Sequence, residues 1–387
     1  MNTPNTARLR GWLALASFVG TVAAAWWCLR FLTDVDGAAR LVESLYRLVG
    51  AGAAADDVAT FGLTPVTSKL ILAVVALVIG VGGVWLLFIT VNRVVDHLGG
   101  TFERLIRPWV FVLPALALLG FFLVYPTIRT VWISLTDSGE EASLLDNYAS
   151  VFTDPTMLAA LRNNALWLII GTTGSVIIGL GFAALVDRIK REALAKTFIF
   201  LPLAISMVGA AVIWRFVYYW RPPGQPQIGL VNGLLDWIGQ EPIAFFQEPP
   251  LNTLVLILIM VWLQTGFAMV ILSAAIKGVP DELMEAARID GAGELQVFWR
   301  VVVPTIRGSI ITVATTIFIV ILKVFDIVFV TTGGRFDTDV VANRMFNELI
   351  RFRNPGRASA LAVILLIAVV PIMVINVRNL RRQGVSA

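Results

Sequence analysis

Long apolar runs alternate with short polar segments along this chain. Eight of the runs are about 20 residues long, the length that a helix needs to cross a hydrocarbon core about 30 Å thick. They cover residues 11–29, 70–91, 109–128, 165–186, 197–219, 253–276, 308–330 and 358–377. The pattern predicts an all-α, polytopic membrane protein with eight transmembrane helices, whose two ends lie on the same side of the membrane.

Composition and charge support this prediction and give it an orientation. Hydrophobic residues make up 58% of the chain and charged residues 14%, whereas soluble proteins average roughly 45–50% and about 25%. The connecting segments on one side, which include both termini, carry 16 Lys and Arg against 9 Asp and Glu; the alternate segments carry 12 against 16. Because basic residues are enriched in cytoplasmic loops, we expect both termini in the cytoplasm.

Two parts of the chain differ in the polarity of their spans. Residues 1–105 hold two spans without polar groups at membrane depth and are predicted to be an accessory region. In residues 106–380 Pro, Gly and hydroxyl residues interrupt the spans, as in bent or closely packed transmembrane helices, and residues 381–387 form a cytoplasmic tail. The run at 11–29 follows Arg8 and Arg10 like a signal peptide, but its length makes an uncleaved anchor the simpler interpretation.

A polar hairpin, residues 277–307, separates two of the long apolar spans. Pro280 suits the first position of a helix, where no backbone N–H is needed, and Gly291 can adopt the left-handed conformation that ends one. Residues 280–290 are therefore predicted to form an eleven-residue helix.

One face of this short helix is small and smooth. Ala286 and Ala287 let a partner backbone come close, and Glu285 complements the positive end of the helix dipole. The charge bias places the hairpin in the cytoplasm, where a motor protein could grip it. The plainer alternative is an ordinary amphipathic loop helix.

Several kinds of chemistry are missing from the sequence. It contains no G-x-x-x-x-G-K-[ST] phosphate-binding loop, and its single histidine, His97, and single cysteine, Cys28, exclude most metal sites and an intramolecular disulfide. No basic block with interleaved aromatic residues indicates nucleic acid, and no chain of buried carboxylates indicates ion coupling. The chain is therefore predicted to be no enzyme, to bind no metal or cofactor, and to need an external source of energy.

Polar side chains at membrane depth are few and mostly uncharged. Lys323 and Asp326 stand three residues apart, where they can pair on one helix face, either as a structural bridge or along a polar passage. Uncharged hydrogen-bonding groups beside aromatic rings suit a neutral polyol such as a sugar; helix packing is the alternative for each residue. The candidate passage residues are Gln264, Thr265, Phe267, Thr315, Thr316, Lys323, Phe325 and Asp326.

The polar hairpin resembles the EAA signature of permease subunits of bacterial ATP-binding-cassette (ABC) importers. The residues that carry this resemblance are Glu285, Ala286, Ala287, Gly291, Val301, Val303 and Pro304. The segment LKVFDIVFVTTGG, residues 322–334, is similar to the sugar-permease branch of that family, most like its alpha-glucoside and maltose type. The resemblance covers about 280 residues, 107–378.

The resemblance implies a core of six helices, here with two more at the N-terminus, in the bacterial inner membrane. It also implies a second permease subunit in a heterodimer, two cytoplasmic ATPase subunits that hold ATP and Mg²⁺, and an extracytoplasmic sugar-binding protein. The residues implied to contact the ATPase are Glu285, Ala286, Ala287, Gly291 and Pro304.

Two alternatives stay open. One is a permease of the same superfamily for another solute. The other is a different class of membrane protein, an ion-coupled secondary transporter or a glycosyl-transfer enzyme. The scarcity of buried acids and of histidine argues against the second.

Overall fold

The structure is a computed structural model, and every regular element in its described residues is a helix, as predicted. The described residues are single positions between 77 and 92 and the ranges 100–136, 145–187, 189–222 and 224–384. The predicted span at 11–29, Cys28 and His97 lie outside them, and the span at 70–91 is described only at isolated helical positions. The count of eight spans therefore stays a prediction.

Sixteen α-helices follow one another in the described ranges. The first eight are α1 (Gly100–Leu119), α2 (Tyr125–Thr136), α3 (Asp146–Thr153), α4 (Pro155–Leu166), α5 (Thr172–Val186), α6 (Glu192–Phe200), α7 (Met207–Val217) and α8 (Leu230–Trp237). The others are α9 (Leu251–Lys277), α10 (Asp281–Ile289), α11 (Glu294–Val297), α12 (Val303–Thr305), α13 (Arg307–Leu322), α14 (Asp326–Thr331), α15 (Val341–Phe346) and α16 (Pro355–Gly384). Wider π-helical turns interrupt the regular hydrogen bonding at Gly120–Val124, Trp167–Gly171, Phe298–Val302 and Asn347–Arg351.

Five helical spans in the described part of the chain are long and apolar enough to cross a membrane, and several of them combine two neighbouring helices. They are Phe111–Thr136, Pro155–Val186, Leu251–Lys277, Arg307–Thr331 and Pro355–Val374. Each overlaps one of the apolar runs that the sequence predicts as a span. A sixth predicted span, 197–219, corresponds to the segments Glu192–Ala204 and Met207–Val217, which meet at a bend of 101°.

Local backbone chemistry explains the bend. The chain tightens into a 3₁₀ turn at Leu201–Ala204, where Pro202 has no N–H to donate. Ile205 is then extended, with φ −88° and ψ 136°. Ser206 begins α7 by accepting a hydrogen bond of 3.0 Å from the backbone N–H of Gly209. A helix cap inside an apolar run thus divides it in two.

Helix α9 is the centre of the packed core. The apolar part of this helix is 67% buried, whereas none of the other four long spans exceeds 39%. Small residues allow the close packing: a Cβ atom on Gly179 of α5 would lie 2.4 Å from the Cβ of Ala268, and one on Gly266 of α9 would lie 2.5 Å from the carbonyl oxygen of Ile199. Small residues at such crossings are typical of transmembrane helix pairs.

The chain divides into two compact units, Met1–Pro126 and Thr127–Ala387. The second unit contains α9, the polar hairpin and every candidate passage residue. The predicted domain boundary at residue 105 stays a prediction.

Candidate functional site

The polar hairpin begins where α9 ends. Its first helix, α10, runs from Asp281 to Ile289, so it is nine residues long and shorter than the predicted 280–290. Pro280 precedes the helix with an extended ψ of 131°, and Asp290 follows it with ψ near 5°. Both residues are caps, which contribute to the end hydrogen bonds without helical geometry of their own.

Gly291 makes the turn that closes the hairpin. Its φ is +81°, which confirms the predicted left-handed conformation that disfavours any residue with a Cβ. The backbone N–H groups of Gly291 and Ala292 donate to the carbonyl oxygens of Arg288 and Ala287, each at 3.0 Å. The last carbonyls of α10 are thereby satisfied.

An ion pair joins the two short helices of the hairpin. Arg288 on α10 donates from Nε to Oε1 of Glu294 on α11 at 2.8 Å, and from a terminal nitrogen to Oε2 at 3.4 Å. The adjacent carboxylate of Glu294 raises the pKa of the Arg288 guanidinium. This two-point contact links α10 to α11 across the turn, because both oxygens of the carboxylate are engaged.

The outer surface of the hairpin is partly apolar. Ile289 is 86% exposed, Leu295 72% and Trp299 56%, and Ile289 follows the exposed Glu285 and Ala286 by four and three residues on the same face of α10. Exposed apolar side chains grouped on a polar segment mark a surface that contacts another molecule. The sequence motif did not single out Ile289, Leu295 and Trp299; their apolar character inside a polar segment was the signal.

Pro304 lies at the far end of the hairpin, apart from the turn at Gly291. It is exposed and belongs to α12, directly after the π-helical turn at Phe298–Val302. The preceding turn is wider than an α-helix, with the Val303 N–H donating to the carbonyl oxygen of Phe298, and Pro304, which has no N–H, follows it directly. The structure therefore places Pro304 where the hairpin returns to the apolar span α13.

A network of charges surrounds the base of the hairpin. The Lys196 ammonium lies 2.8 Å from Asp187 and 2.6 Å from Glu192, and Lys277, the last residue of α9, lies 2.5 Å from Glu192. Ser273 of α9 donates to Asp187 at 2.7 Å. The network connects the end of α5, the start of α6 and the end of α9, so these three helices meet where the hairpin begins.

The candidate passage residues on α9 are within the packed core. Gln264 and Thr265 are 6% and 5% exposed, and Phe267 is half-buried. The Thr265 hydroxyl donates to the carbonyl oxygen of Val261 at 2.6 Å, while the Gln264 amide lies 3.9 Å from the sulfur of Met260.

Thr265 and Trp262 also line a cavity of about 390 Å³ between α5, α6 and α9. Its other walls are apolar and consist of Ile178, Phe182, Phe198, Ile199, Pro202, Leu258 and Val261. The rings and the single hydroxyl match the predicted combination of flat apolar faces with an uncharged hydrogen-bonding group. Gln264 does not line this cavity.

The two threonines on α13 are less enclosed. The hydroxyls of Thr315 and Thr316 both donate to the carbonyl oxygen of Thr312 at 2.9 Å. Thr315 is half-buried and Thr316 is exposed. In the described part of the chain, no hydrogen bond joins these two residues to Gln264 or Thr265.

The expected pairing of Lys323 with Asp326 is wrong. Helix α13 ends at Leu322 and α14 begins at Asp326, so the two charges do not share a continuous helical face. Lys323 is exposed, Asp326 is half-buried at the positive end of α14, and the described residues contain no ion pair between them. The cause is the irregular backbone of Phe325, with φ −138° and ψ −58°.

Phe325 belongs to an aromatic cluster. Its ring centroid lies 4.9 Å from that of Phe329 and 5.4 Å from that of Phe346, and the latter two rings are 5.2 Å apart. The cluster connects α14 with α15, and such pairs stabilise beyond the area that they bury. Phe325 therefore has a packing role, the alternative that the sequence analysis gave for each candidate passage residue.

Comparison with known proteins identifies the class of this membrane protein. The family described as the binding-protein-dependent transport system inner membrane component matches residues 175–383, which include α9 and the whole polar hairpin. The chain belongs to this family. As a permease of this kind it is a transport component of the inner membrane and not an enzyme.

The sequence of the permease aligns with two similar relatives over most of its length. It is 51% identical over 275 residues to the osmoprotective compounds uptake permease protein GgtC of Synechocystis sp., which corresponds to 71% of this chain and 99% of the relative. It is 48% identical over 281 residues to the alpha-glucoside transport system permease protein AglF of Rhizobium meliloti, or 72% of this chain and 84% of the relative.

The fold of the permease is similar to that of solved ABC importers. A bacterial ABC transporter involved in the import of the acidic polysaccharide alginate matches with a TM-score of 0.62 at 21% identity, over 72% of this chain and 96% of that one. The alginate transporter in complex with a periplasmic protein bound to an alginate pentasaccharide matches with the same TM-score at 20% identity, over 73% and 98%. The likeness shows a shared fold.

Proposed function

We propose that this permease moves a carbohydrate, an α-glucoside or another oligosaccharide, across the inner membrane by alternating access in an ATP-driven, binding-protein-dependent importer. The observation that carries the proposal is the polar hairpin: a rigid, partly apolar surface that extends from the most buried helix of the fold. The names of the relatives supply the solute class, since AglF is an alpha-glucoside permease and matches 72% of this chain.

The polar hairpin is the proposed contact with an ATPase. Glu285, Ala286, Ala287 and Gly291 shape the α10 surface, and Ile289 adds exposed apolar area for a groove to bury. A movement imposed on the hairpin reaches Lys277 and the ion-pair network at once, and α9 then carries it into the core. ATP and Mg²⁺ belong to the ATPase subunits in this proposal.

The proposed assembly is the one that the family resemblance implies. The permease pairs with a second, different permease subunit, rests on two cytoplasmic ATPase subunits and receives its solute from an extracytoplasmic binding protein. The chain crosses the membrane eight times, with both termini in the cytoplasm. Its residues 1–105 form an accessory region and residues 106–380 the transport domain.

The proposed passage includes the cavity between α5, α6 and α9. Thr265 and Trp262 at the 390 Å³ cavity are favoured for contact with the sugar, because they combine a ring face with a hydroxyl on one cavity wall. Gln264, Phe267, Thr315 and Thr316 are the further candidates. Lys323, Phe325 and Asp326 stay candidates at the α13–α14 break.

A second solute class is favoured by one observation. The relative GgtC, at 51% identity, is a permease for osmoprotective compounds, so an osmoprotective solute that is not a saccharide is the alternative cargo.

Reconstitution tests both solute classes. The permease, its partner permease, the ATPase and the binding protein are placed in liposomes, and uptake of radiolabelled maltose, trehalose, sucrose and glycine betaine is measured with and without ATP. ATP-dependent uptake of a saccharide supports the proposal. Uptake of glycine betaine and of no saccharide would show that the solute is an osmoprotective compound and not a carbohydrate. Uptake driven by an ion gradient without ATP would overturn the ATP-driven mechanism.

A pair of isoleucine substitutions tests the ATPase contact separately. Ile289→Asp places a charge on the proposed contact surface, so we expect less ATPase to copurify with the permease at normal membrane abundance. Ile228→Asp is the matched control, because Ile228 is also exposed, at 59%, but lies in the segment between α7 and α8. Equal copurification with both variants would show that the ATPase does not contact α10 at Ile289.

A further inference from the structure

A second cavity lies at the other end of α9 from the polar hairpin. It has a volume of about 460 Å³ and is lined by Arg162, Asn163, Leu166, Pro249, Pro250, Asn252, Thr253, Leu254 and Asp337. We call this cavity the outer pocket, because the charge bias places its lining segments on the extracytoplasmic side. Asn252 and Lys277 are separated along α9 by about 38 Å, at 1.5 Å per residue.

Two buried amides hold one wall of the outer pocket. Asn163, 1% exposed, donates from Nδ2 to the carbonyl oxygens of Asp337 at 2.7 Å and Asp339 at 2.9 Å. Asn252, fully buried, donates to the carbonyl oxygen of Phe336 at 2.6 Å. All these donors act on the short loop between α14 and α15, so the loop is fixed to α4 and α9.

The loop is held in an unfavourable backbone conformation. Phe336 has φ +59° and Asp337 has φ +62°, values in the left-handed region that residues other than glycine rarely adopt. Such conformations persist where surrounding contacts enforce them, and they cluster at sites of function. Here the consequence is that the Asp337 side chain is presented at the pocket beside Arg162.

Arg162 and Asp337 form an ion pair that leaves groups free for a ligand. One terminal nitrogen of Arg162 contacts Oδ2 of Asp337, yet the two side chains are 60% and 43% exposed. The remaining N–H groups of the guanidinium are hydrogen-bond donors, and the second carboxylate oxygen beside them is an acceptor. The pair as a whole has little net charge. Adjacent hydroxyls of a polyol, each both donor and acceptor, match this arrangement.

The rest of the outer pocket suits the apolar part of such a ligand. Leu166, Pro249 and Leu254 form walls against which the C–H face of a sugar ring can pack. The volume falls within the roughly 300–1,000 Å³ of small-molecule pockets. A free anion or cation, by contrast, would meet both signs of charge from the Arg162–Asp337 pair.

We propose that the outer pocket is a carbohydrate-binding site, where Arg162 and Asp337 hydrogen-bond hydroxyl groups of the arriving saccharide before it enters the membrane passage. The proposal rests on the proposed carbohydrate transport and adds to it a second solute site, remote from the cavity at Thr265. Asn163 and Asn252 are positioning residues that keep the Phe336–Asp337 loop in place.

Thiol labelling tests binding without transport. In the assembled transporter with Cys28→Ser, a cysteine is placed in the pocket by Leu254→Cys and reacted with a membrane-impermeant maleimide, without binding protein. Maltose or trehalose should slow the reaction about threefold or more at saturation, and Arg162→Gln should abolish this protection. Leu234→Cys is the matched control, since Leu234 is 54% exposed and does not line the pocket.

The labelling result separates the two proposals. Unchanged labelling with every saccharide that the transporter demonstrably imports would overturn the outer pocket as a sugar site and leave the proposed function intact. Protection that persists equally in Arg162→Gln would also overturn the assigned residues. Failure of saccharide import in the liposome experiment would instead count against the proposed function.

A dose dependence measured without the binding protein distinguishes sugar contact from docking of that protein. The maltose concentration that gives half-maximal protection of Leu254→Cys is measured with Asp337 intact and with Asp337→Asn. Loss of a hydrogen bond to a charged group should raise this concentration about tenfold, whereas Asp236→Asn, an exposed control on α8, should leave it unchanged. An unchanged concentration in Asp337→Asn would overturn Asp337 as a sugar contact. If Asp337→Asn does not assemble, Arg162→Lys, which keeps the charge and removes the fork, serves in its place.

Discussion

Gly179 on α5 and Ala268 on α9 approach so closely that a Cβ atom added to the glycine would lie 2.4 Å from the Cβ of the alanine. The backbone nitrogen of Met269 would be 3.0 Å from the same atom. Since backbone atoms cannot move aside cheaply, the crossing of α5 with the central helix depends on the absence of a side chain at one position.

Gly179→Ala should therefore reduce the stability of the permease. We expect a loss of about 1–3 kcal/mol from overpacking, seen as a lower midpoint of thermal unfolding of the detergent-solubilised protein. Gly181→Ala is the matched control, because no atom lies within 4 Å of a Cβ at Gly181, and helix propensity alone favours alanine. Equal midpoints for the two variants would contradict the assigned close contact.

The two glycines of the polar hairpin should respond differently to the same change. Gly291 has φ +81°, so Gly291→Ala costs about 1–2 kcal/mol in the turn and should lower uptake at normal membrane abundance. Gly293 has φ −71° and open space around it, and Gly293→Ala should leave uptake near wild type. The test is the rate of uptake by both variants at equal membrane abundance. Full uptake by Gly291→Ala would show that the left-handed turn is not needed for coupling.

Swapping the charges of Arg288 and Glu294 should restore the ATPase stimulation that either single substitution removes. Arg288→Glu places two carboxylates across the turn and should reduce stimulation of the ATPase, and Glu294→Arg should do the same with two cations. The double variant Arg288→Glu with Glu294→Arg restores opposite charges, so a large part of the stimulation should return. If the double variant loses as much ATPase stimulation as the two single losses predict together, the ion pair does not contribute to the geometry of the hairpin.

Lys323 and Asp326 should act independently, because the break between α13 and α14 separates them. We expect the effects of Lys323→Gln and Asp326→Asn on uptake to multiply in the double variant, without the coupling of a salt bridge. Asp326→Asn should cost at most about 1 kcal/mol of stability, the ordinary value of an acid at a helix N-terminus. A double variant that is markedly better or worse than the product would indicate contact between the two residues.

Among the ion pairs of the described residues outside the spans, Arg344–Glu348 is the most buried, and we expect it to be the most sensitive to substitution. The two groups are 2.7 Å apart, with side chains 15% and 3% exposed, and Nε of Arg344 has no hydrogen-bond partner among the described residues. Glu348→Gln removes the paired carboxylate and leaves the guanidinium only the charges of Asp154 and Asp339, so we expect a loss of about 1–3 kcal/mol in the free energy of unfolding. The control Glu241→Gln, at an exposed position, should be neutral in the same thermal unfolding assay; an equally small effect at Glu348 would show that water reaches Arg344.

The sequence predicted some elements of the fold correctly and others wrongly or not at all. The apolar runs predicted every long span of the described residues to within a turn or two at most ends, and Gly291 was correctly predicted to be left-handed. The pairing of Lys323 with Asp326 failed, because a three-residue spacing implies contact only if the helix is continuous. Asn252 was missed, since an amide directly before an apolar run has no distinctive local pattern. The exposed Ile289 was missed although its apolar character inside the polar hairpin was a signal.

By itself the sequence determined the helical class, the positions of the long apolar spans of the described residues and the polar hairpin with its left-handed turn. These features depend on local composition and backbone preference: an apolar run must satisfy its own hydrogen bonds in lipid, and glycine alone tolerates a positive φ at no cost. Only the tertiary structure decided that α9 is the central helix, that α13 and α14 are separate, and that Asn163 and Asn252 hold the loop with Asp337 beside Arg162. Those outcomes depend on contacts between residues distant in the chain, for which the local sequence carries no signal.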